Sequence, residues 1–175
     1  MLTSNYWNYL GYFSSHAINS GGSWSKVDIG LVGLDGTTVQ VQLARIDVRF
    51  DYYGNDQYIG TRSGLGVVIG TGNTTPEFTD YALTTDVTSS FSNLSSSTSN
   101  GADGASLKTI ITFTGTNTSG SDITLTEYGI TKVVPSGTNG NTTPVLWMHE
   151  LFLEPIVVPA GSSVTIPIEW TETQP

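Results

Sequence analysis

The sequence has no cysteine, few charged residues and very few basic ones. Without cysteine, a chain of 175 residues has no disulfide framework, no thiolate zinc site and no cysteine nucleophile. Only 6 residues are Lys or Arg against 15 Asp and Glu, which gives a net charge of −9. Binding to nucleic acid is not expected, because counterion release needs clustered cations. No apolar run approaches the roughly 18 residues that span a bilayer, so we expect no membrane contact.

Hydroxyl groups take the place of charge. The chain holds 26 Thr, 20 Ser, 20 Gly and 10 Asn, whereas charged residues make up only 12%. Aromatic residues at 10% and hydrophobic residues at 37% are too many for a disordered chain. Because Thr suits a pleated surface while Gly and Asn suit tight turns, the composition predicts an all-β domain with hydroxylated solvent faces.

Alternating apolar residues predict a series of short strands, separated by turn signals about every ten residues. The predicted strands are residues 37–50, 65–69, 110–114, 123–134, 145–153 and 164–170. This spacing indicates a β-sandwich or jelly roll, which we place at residues 31–175. Residues 88–106 are rich in Ser and Asn and predict a loop or a weak hairpin, and residues 135–144 predict a loop.

Four details of these strands can be tested by the structure. The alternation slips by one residue near Ala44 and again near Glu127, which predicts a β-bulge and a bend. Residues 145–153 are apolar on both faces, as in a central strand. Pro167 cannot donate to a ladder, so the last strand is expected at a sheet edge. The turn at 159–161 is expected to close a final hairpin.

Residues 1–30 are rich in aromatic side chains and show no clean helical or strand period. We interpret them as an irregular N-terminal arm. Large rings need a surface to pack against, so the arm either covers the core of its own domain or docks on a neighbouring subunit. The candidate partner-interface residues are Tyr6, Trp7, Tyr9, Tyr12 and Phe13.

No set of residues predicts catalysis. The two histidines, His16 and His149, do not have metal-ligand spacing, and the chain has neither a Gly-x-Ser-x-Gly elbow nor a phosphate loop. Glu150 and Glu154 could pair with Glu127 for glycoside hydrolysis, but both lie on one strand parity beside a proline. We therefore expect no enzymatic activity, no metal and no cofactor.

Three phrases give the chain a family resemblance. They are GTGNTTPEFTDYAL at 70–83, FTGTNTSGSDITLTEYGI at 113–130 and ELFLEPIVVPAGSSVTI at 150–166. In these phrases the chain resembles virion proteins of tailed bacteriophages. The resemblance implies a non-enzymatic structural protein, either a head decoration or auxiliary capsid protein or a related head- or tail-attached module. It also implies assembly in the host cytoplasm, location in the virion, contacts with other virion proteins and a homo-oligomer.

The resemblance also draws attention to two structural residues, Glu127 and His149. The relatives it suggests keep a Glu at the position of Glu127 and carry Arg where this chain has His149. We hypothesise that Glu127 and His149 form a buried hydrogen-bonded pair that holds two strands together. The alternative is that they are unrelated strand residues.

A second functional interpretation is a receptor- or glycan-binding module at a phage fibre or tail tip. Exposed tyrosines could stack on a cell-surface sugar, while neighbouring polar side chains hydrogen-bond to its hydroxyls. The candidate glycan contacts are Tyr52, Tyr53, Asn55, Asp56 and Tyr58.

Overall fold

The fold is all-β, as the composition predicts. The computed structural model describes residues 1–8, 26–42, 65–103, 106–135 and 142–173. Its strands are β1 Lys26–Val32, β2 Thr38–Gln42, β3 Leu65–Gly70, β4 Phe91–Asp103, β5 Ser106–Asn117, β6 Ile123–Pro135, β7 Thr142–Val158 and β8 Ser163–Thr173. They form three antiparallel sheets in the orders β1-β2, β3-β6-β7 and β4-β5-β8.

The two three-stranded sheets share one hydrophobic core, which gives the molecule a β-sandwich-like character. Ile111 and Phe113 of β5 alternate with outward-facing threonines and meet Leu125 and Ile130 of β6 in one buried cluster. Each large apolar side chain buried in this way stabilises the fold by about 1.5–3 kcal/mol. Alternation therefore fixes which face of each sheet turns inward, as the pleat requires.

Two turns carry the chain from one sheet to the other. The buried side chain of Asn117 anchors both of them, because its amide donates to the carbonyls of Ser121 and Val158 at 2.8 and 2.9 Å. Gly161 takes a positive φ of 74° in the second turn. The prediction that this turn closes a hairpin is wrong, since β7 pairs with β6 whereas β8 pairs with β5.

Two predicted loops contain strand residues. Residues 88–106 include β4, a strand of 13 residues, so the hairpin alternative was correct and the loop alternative was wrong. Residues 142–144 belong to β7 rather than to the preceding loop. Both segments are poor in apolar residues, and ladder hydrogen bonds to β5 and β6 hold them in place. The predicted β-bulge near Ala44 lies outside the described residues.

The predicted central position of β7 is correct only over the middle of the strand. On one side β7 pairs with β6. On the other side, residues 1–8, here called the N-terminal segment, bridge to it at Leu2 and Met148, and Thr3 N–H donates to the Trp147 carbonyl at 2.9 Å. In the middle of β7 both edges are covered and both faces are buried, which explains why its residues are apolar on both parities. The expectation of an irregular arm is wrong for residues 4–8, which are helical, and for residues 26–30, which belong to β1.

The other predictions for single strands are correct. β8 lies at the edge of its sheet, and the register of β6 shifts between Leu125 and Glu127, where a bend was expected. None of the helical residues in the described ranges forms a helix that is long and apolar enough to cross a membrane.

Candidate functional site: a buried Asp80–His149–Glu127 cluster

A loop between β3 and β4 covers the face of sheet β3-β6-β7 that is turned away from the shared core. This segment, residues 71–87, is here called the cover loop. Beneath it Val68, Leu83 and Leu146 form a small apolar cluster. Glu127 of β6 and His149 of β7 lie on the same face, close to one another because Gly129 is the direct partner of His149.

The register shift in β6 is what brings Glu127 to this face. Leu125 belongs to the shared core, and a regular strand would turn Glu127, two residues later, to the same side. The irregularity between Leu125 and Glu127 reverses the alternation, so Ile130 returns to the core while Glu127 faces the cover loop. The parity slip seen in the sequence therefore positions a functional side chain.

His149 lies between two carboxylates. Its Nε2 is 2.9 Å from Oε2 of Glu127, and its Nδ1 is 2.6 Å from Oδ2 of Asp80 in the cover loop. His149 is 1% exposed and Glu127 is 0% exposed. The predicted buried hydrogen bond between Glu127 and His149 is thus confirmed, and Asp80 is a third member that sequence reasoning missed.

The carboxylate of Glu127 is saturated with donors from the cover loop. Oε1 accepts the N–H groups of Gly72 and Thr85 at 2.9 and 2.7 Å, and Oε2 accepts the N–H of Thr84 at 3.1 Å. Burial acts to raise the pKa of Glu127, but the hydrogen bonds from Thr85, Thr84, Gly72 and His149 outweigh it and leave the pKa below its usual value. The fold therefore stabilises the ionised carboxylate.

His149 bridges the two carboxylates. Each of its ring nitrogens lies within hydrogen-bond distance of one carboxylate oxygen, one from Asp80 and one from Glu127. The ring therefore connects the cover loop to β6 through a single side chain of β7.

The first resembling phrase begins with Gly70-Thr-Gly72 for a steric reason. A Cβ on Gly72 would lie 2.5 Å from Oε1 of Glu127 and 2.6 Å from Cβ of Thr84. A Cβ on Gly70 would lie 2.6 Å from the carbonyl oxygen of Thr85. Since real Cβ atoms do not approach so closely, only glycine lets the backbone pass directly over the Glu127 carboxylate.

The geometry fits a role in fastening the cover loop to β6 and β7. Both ring nitrogens of His149 are occupied by carboxylates, so neither is available to take a proton from a nucleophile. In the described part of the chain, no group of three or more His, Asp or Glu side chains is arranged to hold a metal ion. The cluster joins two strands, as hypothesised, and in addition it anchors the cover loop to them.

The structure divides the predicted partner-interface residues. Tyr6 is 8% exposed and packs edge-on against Trp147 at 5.5 Å, so it belongs to the core of its own chain, and its assignment to a partner interface is wrong. Asn5 fixes this position through paired hydrogen bonds to the backbone of Val32. Trp7 is 52% exposed. The remaining three, Tyr9, Tyr12 and Phe13, lie outside the described residues.

One exposed ring near the N-terminal segment was not predicted. Phe78 of the cover loop is 50% exposed, and its carbonyl accepts the N–H of Ser4 at 2.7 Å. The predicted glycan contacts at residues 52–58 lie outside the described residues and stay a prediction. Comparison of the chain with protein-family models, with curated proteins and with solved structures finds no match.

Proposed function

We propose that this protein is a non-enzymatic structural component of a tailed-phage virion, most specifically a head decoration or auxiliary capsid protein or a related head- or tail-attached module. The proposal starts from the three phrases that resemble phage virion proteins. It gains support from how the fold uses those phrases and from the surface that the chain presents.

The observation that carries the proposal is that two of the three resembling phrases meet in one buried cluster. The first phrase, 70–83, supplies Gly72 and Asp80, and the second, 113–130, supplies Glu127. The third begins directly after His149. Phrases that matched by chance would have no reason to converge on one buried cluster. Their convergence supports a shared structural module.

Two exposed aromatic side chains support the proposal that the protein is part of a larger particle. Trp7 and Phe78 are large rings, each about half exposed, one within the N-terminal segment and one beside it. Exposed aromatic residues of this kind are enriched where proteins contact partners. We assign Trp7 and Phe78 to the contact with another virion protein.

Purified particles provide the direct test. Particles of the phage that carries the gene are purified on a density gradient, and peptides of this chain are quantified by mass spectrometry against the major capsid protein. We expect a constant ratio of the two proteins across the particle peak. A chain found only in the soluble fraction contradicts the proposal.

Point variants can separate attachment to the particle from glycan binding. A deletion of the N-terminal segment would do so less well, because Thr3, Asn5 and Tyr6 are buried in the folded core. Particles lacking the protein are mixed with purified wild type, Trp7→Ala or Tyr53→Ala. We expect Trp7→Ala to weaken attachment and Tyr53→Ala to leave it unchanged. Loss of host-surface binding in Tyr53→Ala, with attachment intact in Trp7→Ala, would favour the receptor-binding alternative.

A further inference from the structure

The closed Asp80–His149–Glu127 cluster needs two protons. Nδ1 of His149 is 2.6 Å from Oδ2 of Asp80, and Nε2 is 2.9 Å from Oε2 of Glu127. Both are hydrogen-bond distances, and a hydrogen bond needs one proton between its two heavy atoms. Since a bare ring nitrogen and an ionised carboxylate are both acceptors, the three side chains together must hold two protons, whichever atoms carry them.

The Asp80 contact is the one that can open when a proton is lost. A bare nitrogen and a carboxylate oxygen at these distances would repel each other, so one of the two contacts must then break. The side chain of Glu127 is 0% exposed and keeps three N–H donors of the cover loop, whereas that of Asp80 is 26% exposed. Asp80 can therefore exchange His149 for water, and Glu127 cannot.

Asp80 fastens a turn of the cover loop to β7. Its Oδ2 also accepts the Glu77 N–H at 2.8 Å, and its own N–H donates to the Glu77 carbonyl at 3.1 Å. These paired bonds make residues 77–80 a closed unit, here called the 77–80 turn. It carries the exposed ring of Phe78, whose carbonyl accepts the N–H of Ser4. Loss of the contact between Asp80 and His149 would release this unit from β7.

We propose that the cluster is a proton-operated latch, which fastens the 77–80 turn to β7 while it holds two protons and releases the turn when rising pH removes one. His149 makes the latch sensitive to pH, because imidazole is the side chain that exchanges protons nearest to neutral pH. The rest of the cover loop stays bound to Glu127. Because the latch rests on hydrogen-bond geometry alone, its failure would leave the virion proposal to its own test.

Beyond Glu127 of β6 and Asp80 of the cover loop, one further titratable group touches His149. The Met1 ammonium, from the N-terminal segment, binds the His149 carbonyl and the Glu150 carboxylate. Burial lowers the pKa of this ammonium, although the charge of Asp80 acts to raise it. β3 carries no charged side chain. The remaining titratable side chains of the cover loop are exposed, namely Glu77, Tyr81 and Asp86. Experiments on the latch therefore have to separate the cluster from Met1.

Hydrogen exchange of the wild type tests the latch, with each rate corrected for the base-catalysed exchange of an unstructured amide. Between pH 6 and pH 9 the protection of the Glu77 and Ser4 amides should fall by about tenfold or more, because both bond to the released turn. The Gly72 and Thr85 amides, which donate to Glu127, should change by less than about threefold. Constant protection of the first pair, or an equal fall at all four amides, would overturn the proposal.

Asp80→Asn should abolish the response, because an amide can both donate and accept. Its NH2 group can donate to a bare Nδ1 of His149 while its oxygen accepts the Glu77 N–H, so one proton then suffices for a closed cluster. We expect the protection of the Glu77 and Ser4 amides in this variant to stay within about threefold over the same pH range. A fall that persists would assign the pH dependence to Met1 and contradict the latch.

Asp86→Asn is the matched control. Asp86 is an exposed acid of the same loop, and its carboxylate accepts the Thr88 N–H at 2.7 Å. The variant removes the same charge from the cover loop and should respond to pH like the wild type. If it also loses the response, the effect depends on net charge rather than on the cluster, and the latch is wrong.

Nitrogen NMR of the wild type follows the proton without any change to the cluster. The signals of His16, the other histidine in the sequence, are those missing from His16→Gln. Between pH 6 and pH 9 the Nδ1 signal of His149 should move toward that of a bare nitrogen, while Nε2 keeps its proton against Glu127. Its midpoint should match that of the exchange response. An Nδ1 signal that stays constant, or a midpoint that differs by more than about one pH unit, would overturn the proposal.

Discussion

Replacing Glu127 with Gln tests whether the buried cluster holds the fold together. The substitution keeps the size of the side chain and removes its charge. Glu127 accepts four hydrogen bonds, three from cover-loop N–H groups and one from His149. The single oxygen of Gln accepts about two of them, and its amide group points its own protons at the remaining donors.

The expected cost follows from those lost bonds. Leaving a buried donor without a partner costs about 1–3 kcal/mol, and removing one partner of a buried ion pair costs about 3–5 kcal/mol. The two donors that Glu127→Gln leaves without an acceptor belong to one buried network. We therefore take about 3–5 kcal/mol as the total decrease in the free energy of unfolding. At about 2–4 °C per kcal/mol for a chain of this size, the melting temperature should fall by about 6–20 °C.

Urea and thermal unfolding measure the effect, with Glu169→Gln as the matched control. Glu169 is 54% exposed and pairs with Lys108. The same substitution there should therefore lower the free energy of unfolding by less than about 1 kcal/mol. A free energy of unfolding for Glu127→Gln within 1 kcal/mol of the wild type, with an unchanged urea dependence, would refute the structural role of the cluster.

The remaining predictions concern the same cluster. His149→Arg should unfold at a higher temperature than His149→Leu, because Leu can form no hydrogen bond to Asp80 or Glu127. The opposite order would argue against the bridging role of His149. Gly72→Ala should cost about 1–3 kcal/mol or more, since its Cβ would lie 2.5 Å from Oε1 of Glu127, whereas Gly101→Ala, with nothing within 4 Å, should be nearly neutral in denaturant unfolding. The folded pKa of Glu127 lies below its usual 4.5, so its contribution to stability is present above about pH 4.5 and is lost as the pH falls through the folded value. Between pH 7 and pH 3, urea titrations should therefore show a larger decrease in the free energy of unfolding for the wild type than for Glu127→Gln. Equal decreases would contradict that pKa shift.

The regular strands could be predicted because their apolar residues alternate. The parity slip near Glu127 was visible in the sequence, and the structure shows a register shift there. β4 was predicted only as one of two alternatives, a loop or a weak hairpin. Its sequence is a run of Ser and Asn in which Phe91 and Leu94 are the only large apolar side chains. Its conformation is dictated by pairing with β5, a tertiary effect that local pattern does not contain.

The cluster was predicted only in part for a similar reason. Glu127 and His149 were singled out through the resemblance, and they lie on adjacent strands. Asp80 is 69 residues from His149 in a turn-rich loop, and nothing in the local sequence connects the two. The signal that could have found it is the pair of glycines at 70 and 72, because a loop forced to pass closely over a strand needs a buried feature beneath it.

A buried polar cluster adds little net stability, since desolvation offsets much of the attraction. Its main effect here is to fix the position of the cover loop on the sheet. The apolar cluster of Val68, Leu83 and Leu146 holds the cover loop to the sheet but is non-directional, and such contacts tolerate a shift of a residue. The hydrogen bonds to Glu127 and His149 are directional and tolerate none. They fix one register of the cover loop, and through it the exposed ring of Phe78 beside the N-terminal segment. The cluster thereby determines where an exposed ring lies on the protein surface.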